Sequence, residues 1–383
     1  MMPKVIIAMD SFKGSASSWQ IGQAVKDGVL KSLPEADVQV LAVADGGEGT
    51  IAAFSHNLAG QRITVEATSP DGRLIEADYF LSEDSDYAVV EVAQASGITQ
   101  IDDTDSQLLQ YSSYGTGQVI AHALDQGIKR LYIGLGGSGT NDLGLGLLAA
   151  LGLKAFNDSA QEVEMIPKHF SNITRFESGG LKPELRGVDI QFLVDVSNPL
   201  CGAEGASQVF GPQKGGLDEE IAYLDREFYR LAELLSPENP DHLRLLPGGG
   251  AAGGIGAGIY AFLASDKVSM VPGIETILSL AGFKESLTDA DLVMTGEGKM
   301  DQQTLYGKVP LGVLQLAKLE NVPAVAIVGS HSTDLSQLYD LGFAGVFSIC
   351  PGPLTLETAM KNVLPLAEQT GQTLARFYKV VSE

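Results

Sequence analysis

A strand, a polar loop and a helix, met twice within the first sixty residues, constrain this chain more than any other feature. Val5 to Met9 is a short apolar run that ends in Asp10-Ser-Phe-Lys-Gly-Ser15, after which Ile21, Ala24, Val25 and Val29 recur at helical spacing. Val38 to Ala44 then reads as a buried strand, Asp45-Gly-Gly-Glu-Gly-Thr50 as its loop and Ile51 to Leu58 as the next helix. Two βα units in succession require a parallel sheet with right-handed crossovers. In an open sheet of that kind the carboxyl ends of the strands face the ligand crevice, so the loops that follow them are where chemistry is expected.

The rhythm changes after residue 60. Ile63 to Ala67, Arg73 to Leu81 and Tyr87 to Ala93 are joined by Pro70-Asp-Gly72 and Ser82-Glu-Asp-Ser-Asp86, which are hairpin-like connections and mark a mixed sheet. The βα rhythm returns near residue 290, with strands at Leu292 to Thr295, Ala324 to Val328 and Gly345 to Ile349 and a last helix from about Leu356 to Tyr378. The expected architecture is α/β: a Rossmann-like doubly wound parallel-sheet domain, residues 1–70 and 288–383, split by an inserted second α/β domain with a mixed sheet, residues 71–287. The cleft between the two parts is the expected site. A chain of 383 residues with 44% hydrophobic content has enough apolar material for two cores.

Charge narrows the partners. The 48 acidic residues against 25 basic ones give a formal net charge of -23, which argues against nucleic acid and against an anionic membrane surface. A small anionic substrate then needs local cations or a metal. The opening apolar run is too short for a signal peptide, no run approaches membrane-spanning length, and Cys201 and Cys350 lack metal-ligand spacing. These features predict a soluble cytoplasmic protein with a small-molecule partner, and they leave its oligomeric state open.

Five loops pair glycine with an acid or amide: Asp10-Ser-Phe-Lys13, Asp45-Gly-Gly-Glu48, Ser138-Gly-Thr-Asn-Asp142, Asp195-Val-Ser-Asn-Pro199 and Gly296-Glu-Gly-Lys-Met-Asp301. The third lies in Gly134 to Gly144, which follows the apolar strand Arg130 to Ile133 and is expected to open a helix. Amides at a helix start hold anions, so Gly136, Gly137, Ser138, Thr140 and Asn141 are candidate phosphate ligands. Asp142 beside a polyphosphate would need a cation between them, unless it simply complements the helix dipole. Lys13, Lys214, Lys299 and Lys308 each lie near a glycine-bearing loop, with Lys13 the best placed of the four. The five histidines show no paired metal spacing, so any base is sought among the aspartates. Gly205 to Gly215 reads as an ordered loop. There is no P-loop and no protein-kinase catalytic loop, whereas Gly134-x-Gly136-x-x-Gly139 with Asp158 fits a dinucleotide fingerprint and keeps an NAD-dependent oxidoreductase in play.

Taken in order, Asp10-Ser-Phe-Lys-Gly, Ala44-Asp-Gly-Gly-Glu-Gly-Thr, Tyr114-Gly-Thr-Gly, Gly136-Gly-Ser, Thr140-Asn-Asp, Asn198-Pro-Leu, Val209-Phe-Gly-Pro-Gln-Lys-Gly, Ala251-Ala-Gly-Gly and Thr295-Gly-Glu-Gly resemble the glycerate kinase family. The resemblance is to the bacterial type, whose members generally form 2-phosphoglycerate. It implies ATP- and Mg2+-dependent phosphorylation of D-glycerate, with 3-phosphoglycerate as the alternative product and a non-catalytic metabolite sensor as the alternative role. On that footing D-glycerate is expected near Asp10, Ser11, Lys13, Glu48 and Asn198. Lys13, Asp45 and Asp195 are the expected catalytic groups, with Asp195 or Asp45 as base. The Gly136 to Asn141 loop is expected to hold phosphate, and Asp142, or Glu297 and Asp301, to bridge the metal. Met9, Gly139, Leu143 and Ser197 depart from the family pattern, Leu143 standing where that pattern has glycine.

Overall fold

The structure is a computed structural model that describes residues 2–101, 107–263, 267–301, 304, 308–332 and 334–382. Its strands are, in chain order, β1 (Lys4–Met9), β2 (Asp37–Val40), β3 (Gly60–Thr68), β4 (Leu74–Ser82), β5 (Tyr87–Glu91), β6 (Arg130–Gly134), β7 (Lys154–Phe156), β8 (Glu162–Val163), β9 (Arg175–Glu177), β10 (Asp189–Leu193), β11 (Val268–Val271), β12 (Leu292–Gly296), β13 (Lys299–Met300), β14 (Ala324–Val328), β15 (Ser330–His331) and β16 (Gly345–Ser348). The chain divides into two compact units. The first comprises Met1–Asp45, Ala52–Leu58 and Ile274–Glu383, and the second Gly46–Ile51 and Ala59–Gly273.

The first unit is built on a five-stranded parallel sheet in the order β16-β14-β12-β1-β2. Period-two alternation sends neighbouring side chains to opposite faces. Val5, Ile7, Met9, Met294 and Ile327 meet Ile21, Val25 and Val29 of the helix Ser18–Ser32, together with Ala367 and Leu374 of the helix Val363–Ser382. Ile6, Ala8, Val293, Ala324 and Ala326 on the other face meet Leu278, Phe283, Val313, Leu314 and Ala317. Both faces are thus covered, as the expected doubly wound sheet requires. The helix expected from Leu356 to Tyr378 is two helices, Leu356–Lys361 and Val363–Ser382, which part at Asn362.

The second unit carries a six-stranded mixed sheet in the order β11-β10-β6-β5-β4-β3. The four strands from β11 to β5 run parallel, and β5-β4-β3 form an antiparallel meander. Its core gathers Val90, Leu131, Ile133, Phe192, Leu147, Leu224 and Phe228. The expected boundary at residue 70 falls one strand late, because β3 pairs with β4 along its whole length, from Gly60 opposite Ser82 to Thr68 opposite Leu74. The expected boundary at 287 is also late, since Ile274, Leu278, Phe283 and Leu287 already pack into the core of the first unit. Gly205 to Gly215, expected as a loop, contains the helix Ala206–Phe210 and the short turn Pro212–Lys214.

Candidate functional site

In the first unit the strand ends bring the acids together. Asp10 follows β1 and Glu297 follows β12. These strands are neighbours, with Met9 opposite Gly296, and the amide of Asp10 donates to the Gly296 carbonyl at 2.8 Å. Gly296 has no alternative, because a Cβ there would stand 1.7 Å from the Ile327 carbonyl oxygen. Asp10, Ser11, Lys13, Asp45, Glu297, Lys299 and Lys308 line one cavity of about 600 Å³. Asp10 is half-buried. Burial, with the Asp45 carboxylate next in weight, raises its carboxyl to about 7, although the Ser11 amide donates to Asp10 Oδ1 at 2.6 Å. Five of the expected site residues, Asp10, Ser11, Lys13, Asp45 and Glu297, thus meet at one place.

Glu297 is 4% exposed and accepts from the Thr304 hydroxyl. Lys308 Nζ lies 3.6 Å from its other oxygen, and burial raises its carboxyl all the same. Asp301 faces Lys299 Nζ at 3.1 Å. Both acids offer the hard oxygen donors that magnesium takes, and that ion is commonly held by one or two carboxylates together with substrate phosphates. Among the described residues no three His, Cys, Asp or Glu side chains group to hold a metal by themselves.

Asp142 does not fit the expected metal role. It is fully buried, and its Oδ2 accepts from the Ser113 amide and hydroxyl, both at 2.7 Å, and from the Gly146 amide at 3.2 Å. Its Oδ1 accepts from the Gly144 amide at 3.1 Å. The helix expected to open from the Gly134 to Gly144 loop starts at Leu145, directly after Gly144, and the anion at its start is Asp142 itself. Burial raises this carboxyl, while those donors pull the other way.

The remainder of the loop is divided by exposure. Gly137 is exposed and Gly136 half-buried, whereas Ser138, Thr140 and Asn141 are buried. Lys214 Nζ donates to the Ser138 hydroxyl at 2.9 Å and to the Thr140 carbonyl at 2.6 Å. Among the described residues Thr140 Oγ1 and Asn141 Oδ1 are buried without a hydrogen-bond partner. Asn141 Nδ2 donates to Ser207 Oγ at 3.0 Å. Burial lowers Lys214 to about 7, with the Asp142 carboxylate opposing the shift.

At the carboxyl edge of the same sheet the Gly46 to Ile51 turn packs on β6 and β10. A Cβ on Gly134 would meet the Gly46 carbonyl oxygen at 2.5 Å, and one on Gly46 would meet Leu193 at 2.9 Å. Gly136 N donates to Gly46 O at 3.3 Å. Glu48 is exposed on this turn. Asp195 follows β10, with Oδ1 accepting from Gly273 N at 2.9 Å, and Asn198 Nδ2 is held by Glu204 O at 2.9 Å. Gly136 and Asp195 therefore follow neighbouring strands at one sheet edge, as the strand-end rule requires, and the turn that carries Glu48 packs against that edge.

Two further side chains fix these loops, Glu91 and Lys214. Glu91, at the end of β5 and 2% exposed, accepts from Ile51 N at 2.6 Å and so ties the Gly46 to Ile51 turn to the sheet. Its signal was present, an acid closing an otherwise apolar strand, but no glycine follows it. Lys214 is one of the four candidate lysines, and its burial is not legible in a GPQKG segment. The dinucleotide alternative loses its supports. The helix starts at Leu145, past the last fingerprint glycine, Gly139, and Asp158 is exposed in the turn between β7 and β8.

With this geometry in view, comparison with known proteins is specific. Residues 5–379 match the model of the glycerate kinase family. A glycerate kinase of Halalkalibacterium halodurans is 38% identical over 98% of both chains. A glycerate 2-kinase of Escherichia coli K12 is 36% identical over 97% of this chain and 98% of its own. A crystal structure from Salmonella typhimurium LT2, provisionally assigned as glycerate kinase 2, superposes with a TM-score of 0.88 at 39% identity and covers 100% of both chains. The chain belongs to the glycerate kinase family.

Proposed function

We propose that this chain transfers the γ-phosphoryl group of ATP to D-glycerate and releases 2-phosphoglycerate. The observation that carries the reading is the cluster at the ends of β1 and β12, where Asp10, Asp45 and Glu297 share one cavity with Lys13, Lys299 and Lys308. Phosphoryl transfer has a loose transition state, so alignment and charge neutralisation supply most of the acceleration. Lys13 would neutralise charge on the moving group, and Asp45 or Asp195 would accept the proton of the attacking hydroxyl. Glu48 and Asn198 would contact the substrate, and the Gly136 and Gly137 amides a phosphate. Glu297 and Asp301 would meet a magnesium ion carried in by the triphosphate, which when bound neutralises phosphate charge. Attack by the C2 hydroxyl is supported by the similarity to the Escherichia coli relative, a glycerate 2-kinase.

A coupled assay with D-glycerate, ATP and magnesium, followed by phosphorus NMR of the product, tests this. Release of ADP with a phosphomonoester on C2 is the expected result. A C3 ester would change the acceptor hydroxyl, and binding of D-glycerate without ATP consumption would make the protein a sensor.

A further inference from the structure

We propose that the cavity of the first unit seats the heteroaromatic base of the nucleotide on an aliphatic wall, with Lys13 at its phosphate end. This rests on the kinase reading above and adds where the base lies. The lining is two-sided in chemistry. Asp10, Lys13, Glu297 and Lys308 come from the loops after β1 and β12 or from the helix start beyond, whereas Ile349, Leu354, Leu356, Met360 and Val363 come from the stretch after β16. Because β16 is the edge strand and β1 and β12 are central, the apolar stretch enters from one side of the polar cluster. Met360 bridges the two, since a Cβ on Gly14, next to Lys13, would lie 3.0 Å from Met360 Cε.

Four arguments select the occupant and its place. A three-carbon hydroxy acid offers no flat apolar surface to such a wall, whereas a purine offers two faces. The volume of about 600 Å³ lies in the range of cavities that enclose a nucleotide-sized ligand. Leu354 and Leu356 are 44% and 76% exposed at the rim, apolar area that a stacked base would take from water. Numbered within the unit, the strand order is 2-1-3-4-5, and ligands of doubly wound sheets bind where that order reverses, here between β1 and β12.

Cys350 lines the cavity and Cys201 is buried elsewhere, so alkylation by iodoacetamide, located by peptide mass, reports occupancy without turnover. Saturating adenosine, which has no phosphate, and ATP are each expected to slow alkylation of Cys350 at least fivefold, and tripolyphosphate to have less than a twofold effect. Leu356→Asp, at an exposed position, should weaken adenosine protection at least fivefold. Ala359→Trp should raise the KM for ATP at least tenfold and leave that for D-glycerate within twofold. If ATP-dependent phosphorylation proceeds while adenosine leaves Cys350 alkylation unchanged, the base lies elsewhere and the proposal fails with the kinase reading intact. If no ATP is consumed with D-glycerate, the kinase reading fails, and adenosine protection still decides the cavity.

Discussion

The ammonium of Lys214 lies 2.6 Å from the carbonyl oxygen of Thr140, buried in a loop whose neighbouring carboxylate, Asp142, is fully occupied by other donors. In the unfolded chain a lysine keeps its proton to about pH 10.4. In the fold Lys214 releases it near 7. Between those values the unfolded state binds more protons, so this residue makes stability rise with pH. Wild type should therefore gain on Lys214→Met, measured as urea midpoints, from pH 7 to pH 10. Parallel curves for the two proteins would mean that the ammonium is not desolvated.

Asp10 has the opposite sign. Its carboxyl is raised from 3.8 to about 7, so the folded state holds a proton that the unfolded state has lost, and stability falls as pH rises through that window. Asp10→Asn removes the effect. At pH 8 it should exceed wild type in stability by on the order of 1–2 kcal/mol, allowing for partial exposure, and match it near pH 4. Phosphorylation should fall at least 100-fold. An equal stability difference at both pH values would contradict the assigned burial.

Leu143 holds a left-handed backbone, φ 55°, with its side chain fully buried. Leu143→Gly relieves about 1 kcal/mol of strain but removes a core leucine worth roughly 3 kcal/mol. A net loss of about 2 kcal/mol in chemical denaturation is expected; a more stable variant would show that strain dominates.

Glu91 is the strand-end acid that holds Ile51 N. Glu91→Ala should increase hydrogen exchange across residues 46–51 and lower kcat/KM at least tenfold, and Glu91→Gln, which keeps an acceptor, should lower it less. Identical losses would mean that charge alone matters, not the tether.

Trp19, the only tryptophan, stacks on His56 with ring centroids 4.4 Å apart. Burial lowers the His56 pKa below 6.5. Tryptophan emission should change on acidification with a midpoint below that value, and His56→Gln should abolish the transition. A midpoint above 6.5 would contradict the burial assigned to the ring.

Strand-loop-helix periodicity made the parallel sheet of the first unit legible, because fully buried strands such as Val5 to Met9 are apolar throughout and their loops carry the polar residues. It also placed Asp10 and Glu297 at strand ends. Sequence could not reveal that Asp142 is a structural acceptor, since an acid after a glycine loop looks the same whether it faces a cation or the Ser113 hydroxyl. Lys214 was obscured for a related reason: burial of a lysine depends on what folds over it. The boundaries slipped because β3 alternates like an exposed strand, and its membership is decided by pairing with β4 and not by composition.

The pairing of β1 with β12 also governs when this protein can fold. On the ribosome the first strand can pair with β2 early, but its other neighbour is made nearly three hundred residues later, a delay on the order of tens of seconds at ordinary elongation rates. The mixed sheet, whose strands run from β3 to β11, has all its strands made before β12 is. The central sheet of the first unit must close last, with β1 paired only to β2 until β12 is made, which makes the N-terminal segment the natural client of a chaperone during synthesis.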